Sequence, residues 1–184
     1  MLRLVSKSPR RREILEMAGI EFVVTNIDTD EDIVEKNPCE YVMKTALKKG
    51  SCALDLYPDD IILSADTIVV FNNQILEKPK DKEDAYKMIK MIQNNEHYVY
   101  TGVFIGIKNK NITFSFYEET KVIVGPLTNE EIIEYVNMDE PYDKAGAYAI
   151  QGFFGKYIKG IEGDYFNVMG LPIYKVASKL KDIK

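Results

Sequence analysis

Three cations, Arg10, Arg11 and Arg12, follow Ser6-Lys7-Ser8-Pro9 directly after the short apolar run Leu2 to Val5. The order reads as strand, tight loop and helix. Ser8 can serve as the N-cap, and Pro9 suits the first helical position, where its missing N–H costs nothing. The arginines then fall in the first turn, the end where a helix already carries partial positive charge. An anion would offset the resulting repulsion. Free N–H groups, serine hydroxyls and guanidinium forks together suit a phosphate chain. The plainer alternative is a solvated basic turn.

A second group of candidates surrounds Asp66. Ser64-Ala65-Asp66-Thr67 interrupts the most apolar strand of the chain, Ile61 to Phe71. A carboxylate there is costly unless paired, protonated or bound to a metal. Burial beside phosphate favours general-base work, whereas a magnesium ion would keep the group ionised. A carboxylate capping N–H groups at a bulge is the structural alternative. Glu77-Lys78-Pro79-Lys80 follows the partner strand, and its turn could bring Lys78 near Asp66; alone, it reads as a solvated loop. Lys49 lies on an otherwise apolar helix face, where a snorkelling lysine is the default. In Asp143-Lys144-Ala145-Gly146-Ala147-Tyr148-Ala149-Ile150-Gln151-Gly152 the small residues allow backbone to approach a ligand. The Gln151 amide offers a donor and an acceptor, matching the N3–H and O4 edge of uracil or thymine, or else satisfying loop backbone. His97 is the only histidine, and one imidazole cannot build both a triad and a metal site; it reads as structural.

These residues need elements to position them. A helix from about Pro9 to Ala18 would place Ile14, Leu15 and Ala18 on one face, with Gly19 closing it. Phe22 to Ile27 reads as a second strand, and residues 28–35 as an acidic loop. A helix after Asn37-Pro38 carries Val42, Thr45, Ala46, Lys49 and Ala53, with Gly50 as its weak point. Asn72-Asn73 turns the Ile61–Phe71 strand into a hairpin with Gln74 to Leu76. Asp81 caps a helix bearing Ala85, Met88, Ile89 and Ile92. Strands at Tyr98–Ile107 and Ile112–Val124 precede a capping box, Thr128 to Glu131. A late strand at Tyr157–Ile161 and a final helix after Leu171-Pro172 complete the chain. The class is α/β with a mixed sheet and flanking helices.

Composition narrows the field. With 184 residues, one domain or two closely packed lobes are expected. The net charge of −5 offers no global basic field, so nucleic acid is not an expected partner and any anion site must be local. The apolar runs fall far short of the roughly 20 residues that span a bilayer. Met1 runs straight into the first strand, so no leader peptide is expected. Cys39 and Cys52 are too few for a disulfide framework, which points to a reducing, cytoplasmic setting. There is no Gly-x-x-x-x-Gly-Lys-Ser/Thr loop, no Gly-x-Gly-x-x-Gly and no His-Glu-x-x-His, so the phosphate site is of another design.

SKSPRRREIL, SADTIVV, LEKPKD, DKAGAYAIQG and GDYFNVMGLP, in that order, resemble the Maf nucleotide pyrophosphatases over nearly the whole chain. The resemblance implies a single Maf-like domain over residues 1–184, with an elongated α/β fold like that of inosine triphosphate pyrophosphatases and two lobes around a cleft. It implies hydrolysis of a nucleoside triphosphate to monophosphate and pyrophosphate with a divalent cation, magnesium or manganese, and a homodimer. SADTIV with LEKP and AGAYAIQG is similar to the branch acting on dTTP and UTP, not the 7-methyl-GTP branch. By motif match Asp66 takes the proton-acceptor role. Arg10, Thr67 and Gln151 take positions linked to substrate choice, while Ser6, Arg11, Lys49 and Lys78 line the cleft. Where the family shows an Asp-Glu pair, this chain reads Ile27-Asp28-Thr29-Asp30-Glu31, so Asp28, Asp30 and Glu31 are alternatives for a metal ligand beside Asp66. The expected chemistry is phosphate clamping by Arg10, Arg11 and Lys78, water activation or metal binding by Asp66, and base reading by Gln151 and Thr67. A non-catalytic, nucleotide-binding regulator of septum formation is the alternative function that the resemblance carries.

Overall fold

The structure is a computed structural model that describes residues 1–27 and 33–183. Asp28, Asp30 and Glu31 lie outside the described residues. The strands run, side by side, β2 (Val23–Thr25), β1 (Leu2–Val5), β3 (Ile61–Phe71), β5 (Glu96–Ile107), β6 (Ile112–Val124) and β7 (Ile158–Glu162), with β4 (Gln74–Leu76) paired to β3. The chain forms two compact units, one from residues 1–67, 101–118 and 170 onward, the other from residues 68–100 and 119–169.

In the first unit β1 (Leu2–Val5) lies between β2 (Val23–Thr25) and the start of β3 (Ile61–Phe71), parallel to both. Parallel neighbours need a crossover, and α1 (Pro9–Met17) and α2 (Pro38–Leu56) supply the two. Ile14 and Leu15 of α1 are buried as the periodicity requires, but Ala18 is exposed, because the helix ends at Met17 and Gly19 turns the chain away at φ +64°. Ser8 occupies the N-cap position without capping: its side chain makes no bond to the helix, and its own N–H donates to Ser6 Oγ. Asn37 does cap α2, accepting from the N–H groups of Cys39 and Glu40. Gly50 strengthens the packing of α2, since a Cβ there would sit 2.2 Å from Phe104 Cδ1 and 2.7 Å from Ser64 Oγ. A side chain would push the helix off its strands. α6 (Ile173–Asp182) closes this unit.

In the second unit Asn72 and Asn73, at φ 48° and 61°, form the two-residue turn from β3 into β4 (Gln74–Leu76). Asp81 caps α3 (Lys82–Ile92) through the Asp84 N–H, and the Thr128–Glu131 capping box opens α4 (Asn129–Val136). β5 (Glu96–Ile107) and β6 (Ile112–Val124) each contribute residues to both units, and β7 (Ile158–Glu162) pairs antiparallel with β6. Three 3-10 turns, at Glu140–Asp143, Ala145–Ala147 and Phe153–Tyr157, build the glycine-punctuated stretch. The core gathers Val69, Ile89, Ile92, Val99, Tyr135, Tyr148 and Phe154. Each such large apolar side chain contributes about 1.5–3 kcal/mol by leaving water. One short helix, α5 (Tyr165–Met169), goes beyond the pattern read from sequence. Its signal is Asp164, whose carboxylate accepts from the N–H groups of Phe166 and Asn167. Among the described residues no helix is long and apolar enough to cross a membrane.

Candidate functional site

Asp66 gains its position from the alternation of β3. Residues two apart share a face, and Ser64 uses that face to donate to the Ala46 carbonyl of α2 at 2.6 Å. Lys49 stands one helical turn further along α2 and pairs with Asp66, Nζ to Oδ1, at 2.9 Å. The two side chains retain 17 % and 16 % of their exposure, so the pair is desolvated on most sides yet reachable. The carboxylate that was costly in an apolar strand is therefore paired. Lys49 is not merely snorkelling.

Arg11 organises a second network in the same unit. Its Nε donates to the Gly170 carbonyl at 2.8 Å, Nη1 to Ser6 Oγ at 3.3 Å and Nη2 to Thr67 Oγ1 at 3.0 Å. Ser6 Oγ also accepts the Ser8 N–H, which ties the loop between β1 and α1 to the guanidinium. Thr67 in turn lies 2.9 Å from Thr101 Oγ1 of β5. Arg10 is half-buried in the first turn of α1. The structure thus joins Ser6, Arg11 and Thr67 in one set of hydrogen bonds and Lys49 with Asp66 in another. Asp66 and Thr67 make the two sets consecutive in the chain.

Lys78 and Gln151 belong to the second unit, both exposed. The DKAGAYAIQG stretch has a shape of its own. Gly146 adopts φ +69°, and a Cβ there would come within 2.9 Å of Val69 Cγ1, so only glycine fits. Its N–H donates to the carbonyl of Glu77, the residue before Lys78. Ala147 takes φ +62°, rare for a residue with a Cβ. Tyr148 is buried, its hydroxyl 2.6 Å from His97 Nε2, and burial pushes the phenol pKa up. His97 is fully buried, its Nδ1 has no partner among the described residues, and desolvation lowers its pKa to about 4. A protonated ring would bury a second N–H without an acceptor, so the imidazole stays neutral. Beyond Gln151 the Glu140 carboxylate accepts from the N–H groups of Phe153 and Phe154 and from the Tyr135 hydroxyl. A side chain at Gly152 would put its Cβ 2.4 Å from Glu140 Oε2. Gln151 is thus an exposed amide on a segment fastened on both sides.

Thr101, Gly170, Glu140 and the His97–Tyr148 bond lie beyond what the sequence reading singled out as site-building. Thr101-Gly102 in an apolar strand and Gly170 before Leu-Pro are the traces they leave. Among the described residues no three His, Cys, Asp or Glu side chains cluster as a metal site.

Residues 1–183 match the family model described as Maf-like protein. Over 180 residues the chain is 48 % identical to a dTTP/UTP pyrophosphatase of Caldanaerobacter subterraneus subsp. tengcongensis, covering 97 % of this chain and 86 % of that protein. It is 45 % identical to a dTTP/UTP pyrophosphatase of Geobacillus over 181 residues, 98 % of this chain and 96 % of the relative. A dTTP/UTP pyrophosphatase of Bacillus anthracis is 44 % identical over 179 residues, 97 % and 93 % of the two chains. Among solved structures, the Staphylococcus aureus Ham1 protein shares the fold, with a TM-score of 0.56 at 11 % identity over 100 % of this chain and 99 % of that one.

Proposed function

This chain belongs to the Maf family, and from that premise we propose that it hydrolyses nucleoside triphosphates, preferentially dTTP and UTP, to monophosphate and pyrophosphate. The observation that carries the reading is the half-buried Lys49–Asp66 pair, one residue along β3 from the hydroxyl that receives the Arg11 guanidinium. A triphosphate needs cations to neutralise its charge and one carboxylate to manage water. This unit offers both, and relatives named for that reaction cover nearly the whole chain.

In the proposed reaction the bond between the α and β phosphates breaks and water supplies the oxygen. Asp66 orients the water and takes its proton, while the Lys49 ammonium keeps the carboxylate aimed. Arg10, Arg11 and Lys78 neutralise the phosphates and stabilise charge on the departing pyrophosphate. Ser6 fixes the basic loop. A divalent cation, magnesium or manganese, suits hard oxygen donors and takes only one or two carboxylates besides phosphate oxygens. Asp66 would hold it, with Asp28, Asp30 or Glu31 as the second carboxylate. Bound there, it would add to the neutralisation of the phosphate charge. Gln151 reads the pyrimidine edge through the donor and acceptor of its amide. The role that follows is the removal of surplus or modified pyrimidine nucleotides from the cell's pools.

Pyrophosphate release from dTTP, UTP, CTP, GTP and 7-methyl-GTP, with magnesium or manganese, tests this. Turnover is expected with dTTP and UTP, and Asp66→Asn should lower it by roughly a thousandfold or more with the melting temperature nearly unchanged. Full activity in that variant removes Asp66 from the mechanism. No release from any triphosphate by folded wild type sinks the enzymatic reading and favours a nucleotide-binding regulator.

A further inference from the structure

The Thr67 hydroxyl already meets three protein groups. A threonine hydroxyl has one proton to donate and two lone pairs to accept with. Arg11 Nη2 donates to Thr67 Oγ1 at 3.0 Å, Thr101 Oγ1 lies 2.9 Å away and the Gly170 carbonyl 3.5 Å away. One assignment satisfies all three: Thr67 donates to Gly170 and accepts from both Arg11 and Thr101. The other, in which Thr67 donates to Thr101, keeps the arginine bond as it is. In either, the hydroxyl meets the guanidinium as an acceptor.

The groups around it are themselves fixed. Thr101 is fully buried, and it precedes Gly102, where a Cβ would stand 2.3 Å from the Val42 backbone of α2. That close approach sets the strand on the helix. Gly170 adopts φ +116°, where a side chain is strained, and this places its carbonyl within reach of both Arg11 Nε and Thr67. A planar guanidinium held at Nε and Nη2 has its plane determined, which is what phosphate recognition by a fork requires.

Resting on the reading that Arg11 contacts the triphosphate, we propose that Thr101 is a positioning residue: it fixes Thr67, and Thr67 with the Gly170 carbonyl sets the Arg11 guanidinium for phosphate. Thr67 then acts on substrate through Arg11 and not by touching the base.

Thr101→Val keeps the shape and removes the hydroxyl. The expected result is a roughly tenfold loss in kcat/KM for UTP, carried mainly by KM, the scale of one charge-assisted hydrogen bond. Thr101→Ser should recover to within about twofold of wild type, and Thr101→Val should add nothing in an Arg11→Ala background. Thr67→Val should raise KM for UTP and CTP alike and leave their kcat/KM ratio unchanged. A wild-type KM in Thr101→Val, an undiminished loss in the Arg11→Ala background, or a shifted UTP-to-CTP ratio in Thr67→Val overturns the proposal. Titration calorimetry with inorganic tripolyphosphate reads the same relay without turnover. If wild type releases no pyrophosphate, the enzymatic reading fails by itself, and affinity decides the relay: a roughly tenfold weaker Kd in Thr101→Val supports it, and an unchanged Kd overturns it.

Discussion

Around Asp66 the polar groups are charged and only partly buried; around Tyr148 they are neutral and enclosed. Lys49 and Asp66 keep 17 % and 16 % exposure, whereas His97 keeps 0 %. A partly hydrated ion pair contributes little to folding, but its charges stay available to a ligand. An enclosed imidazole–phenol bond does the reverse, since it is invisible to a ligand and expensive to disturb. In the proposed reaction the first cluster does the chemistry, while the second shapes the segment that carries Gln151. Burial, more than residue type, separates the two.

The largest test of that contrast is Lys49→Met. Removing the ammonium takes away the partner that orients Asp66, and turnover should fall roughly a thousandfold, in the range seen for a lost electrostatic catalytic group. Stability should fall by about 3 kcal/mol, because the largely desolvated Asp66 carboxylate loses its partner. Steady-state kinetics beside a urea melt gives both numbers. A large stability loss with turnover intact would move Lys49–Asp66 into the class of the enclosed pair.

The enclosed pair should respond to acid. The pKa of His97 falls from 6.5 to about 4 on folding. The unfolded chain therefore binds a proton that the folded one refuses, and the stabilisation present above pH 6.5 is lost as the pH falls toward 4. The whole effect is about 3 kcal/mol. Glu35 and Asp60 also titrate low in the fold, held by Lys44 and Arg3 first of all, but from ordinary values of 4.5 and 3.8. Urea melts between pH 6.5 and 5.5 therefore report mainly on His97. His97→Gln should flatten the slope in that window, and an unchanged slope would assign it to another group.

What the sequence disclosed of this arrangement follows the range of the forces involved. β3, β4 and β6 begin and end where alternation and the Asn-Asn turn put them, and the capping box at Thr128 forms as written. Those are local effects. Asp66 was visible because a carboxylate inside an apolar strand demands a partner. The identity of that partner was not, since Lys49 reaches it through tertiary packing of α2 that Gly50 permits. Arg11 was visible as a cation, but its orientation comes from a carbonyl 159 residues downstream. Ser8 stands at the N-cap position and makes no cap bond, while its N–H donates to Ser6 Oγ. Distant hydroxyls and carbonyls leave no periodic trace in a chain.

The smallest effect bears on the meaning of the rigid arm. Gly146 and Ala147 hold positive φ, Tyr148 is pinned by His97, and Glu140 fastens Phe153 and Phe154. In the proposed base-reading role, a segment so constrained leaves Gln151 little backbone freedom to lose, so its amide would discriminate at low entropic cost. Gln151→Ala should reduce the preference for UTP over CTP by roughly tenfold, about 1.4 kcal/mol, the scale of one discriminating hydrogen bond. Turnover number with UTP should change far less. Glycine at 151 would add flexibility to the same deletion, and a Gln151→Gly variant with the selectivity of Gln151→Ala would show that the arm keeps its shape without help from this side chain. Unchanged UTP-to-CTP ratios in both would detach base reading from Gln151. The enclosed cluster would then be a structural anchor with no part in choosing the substrate.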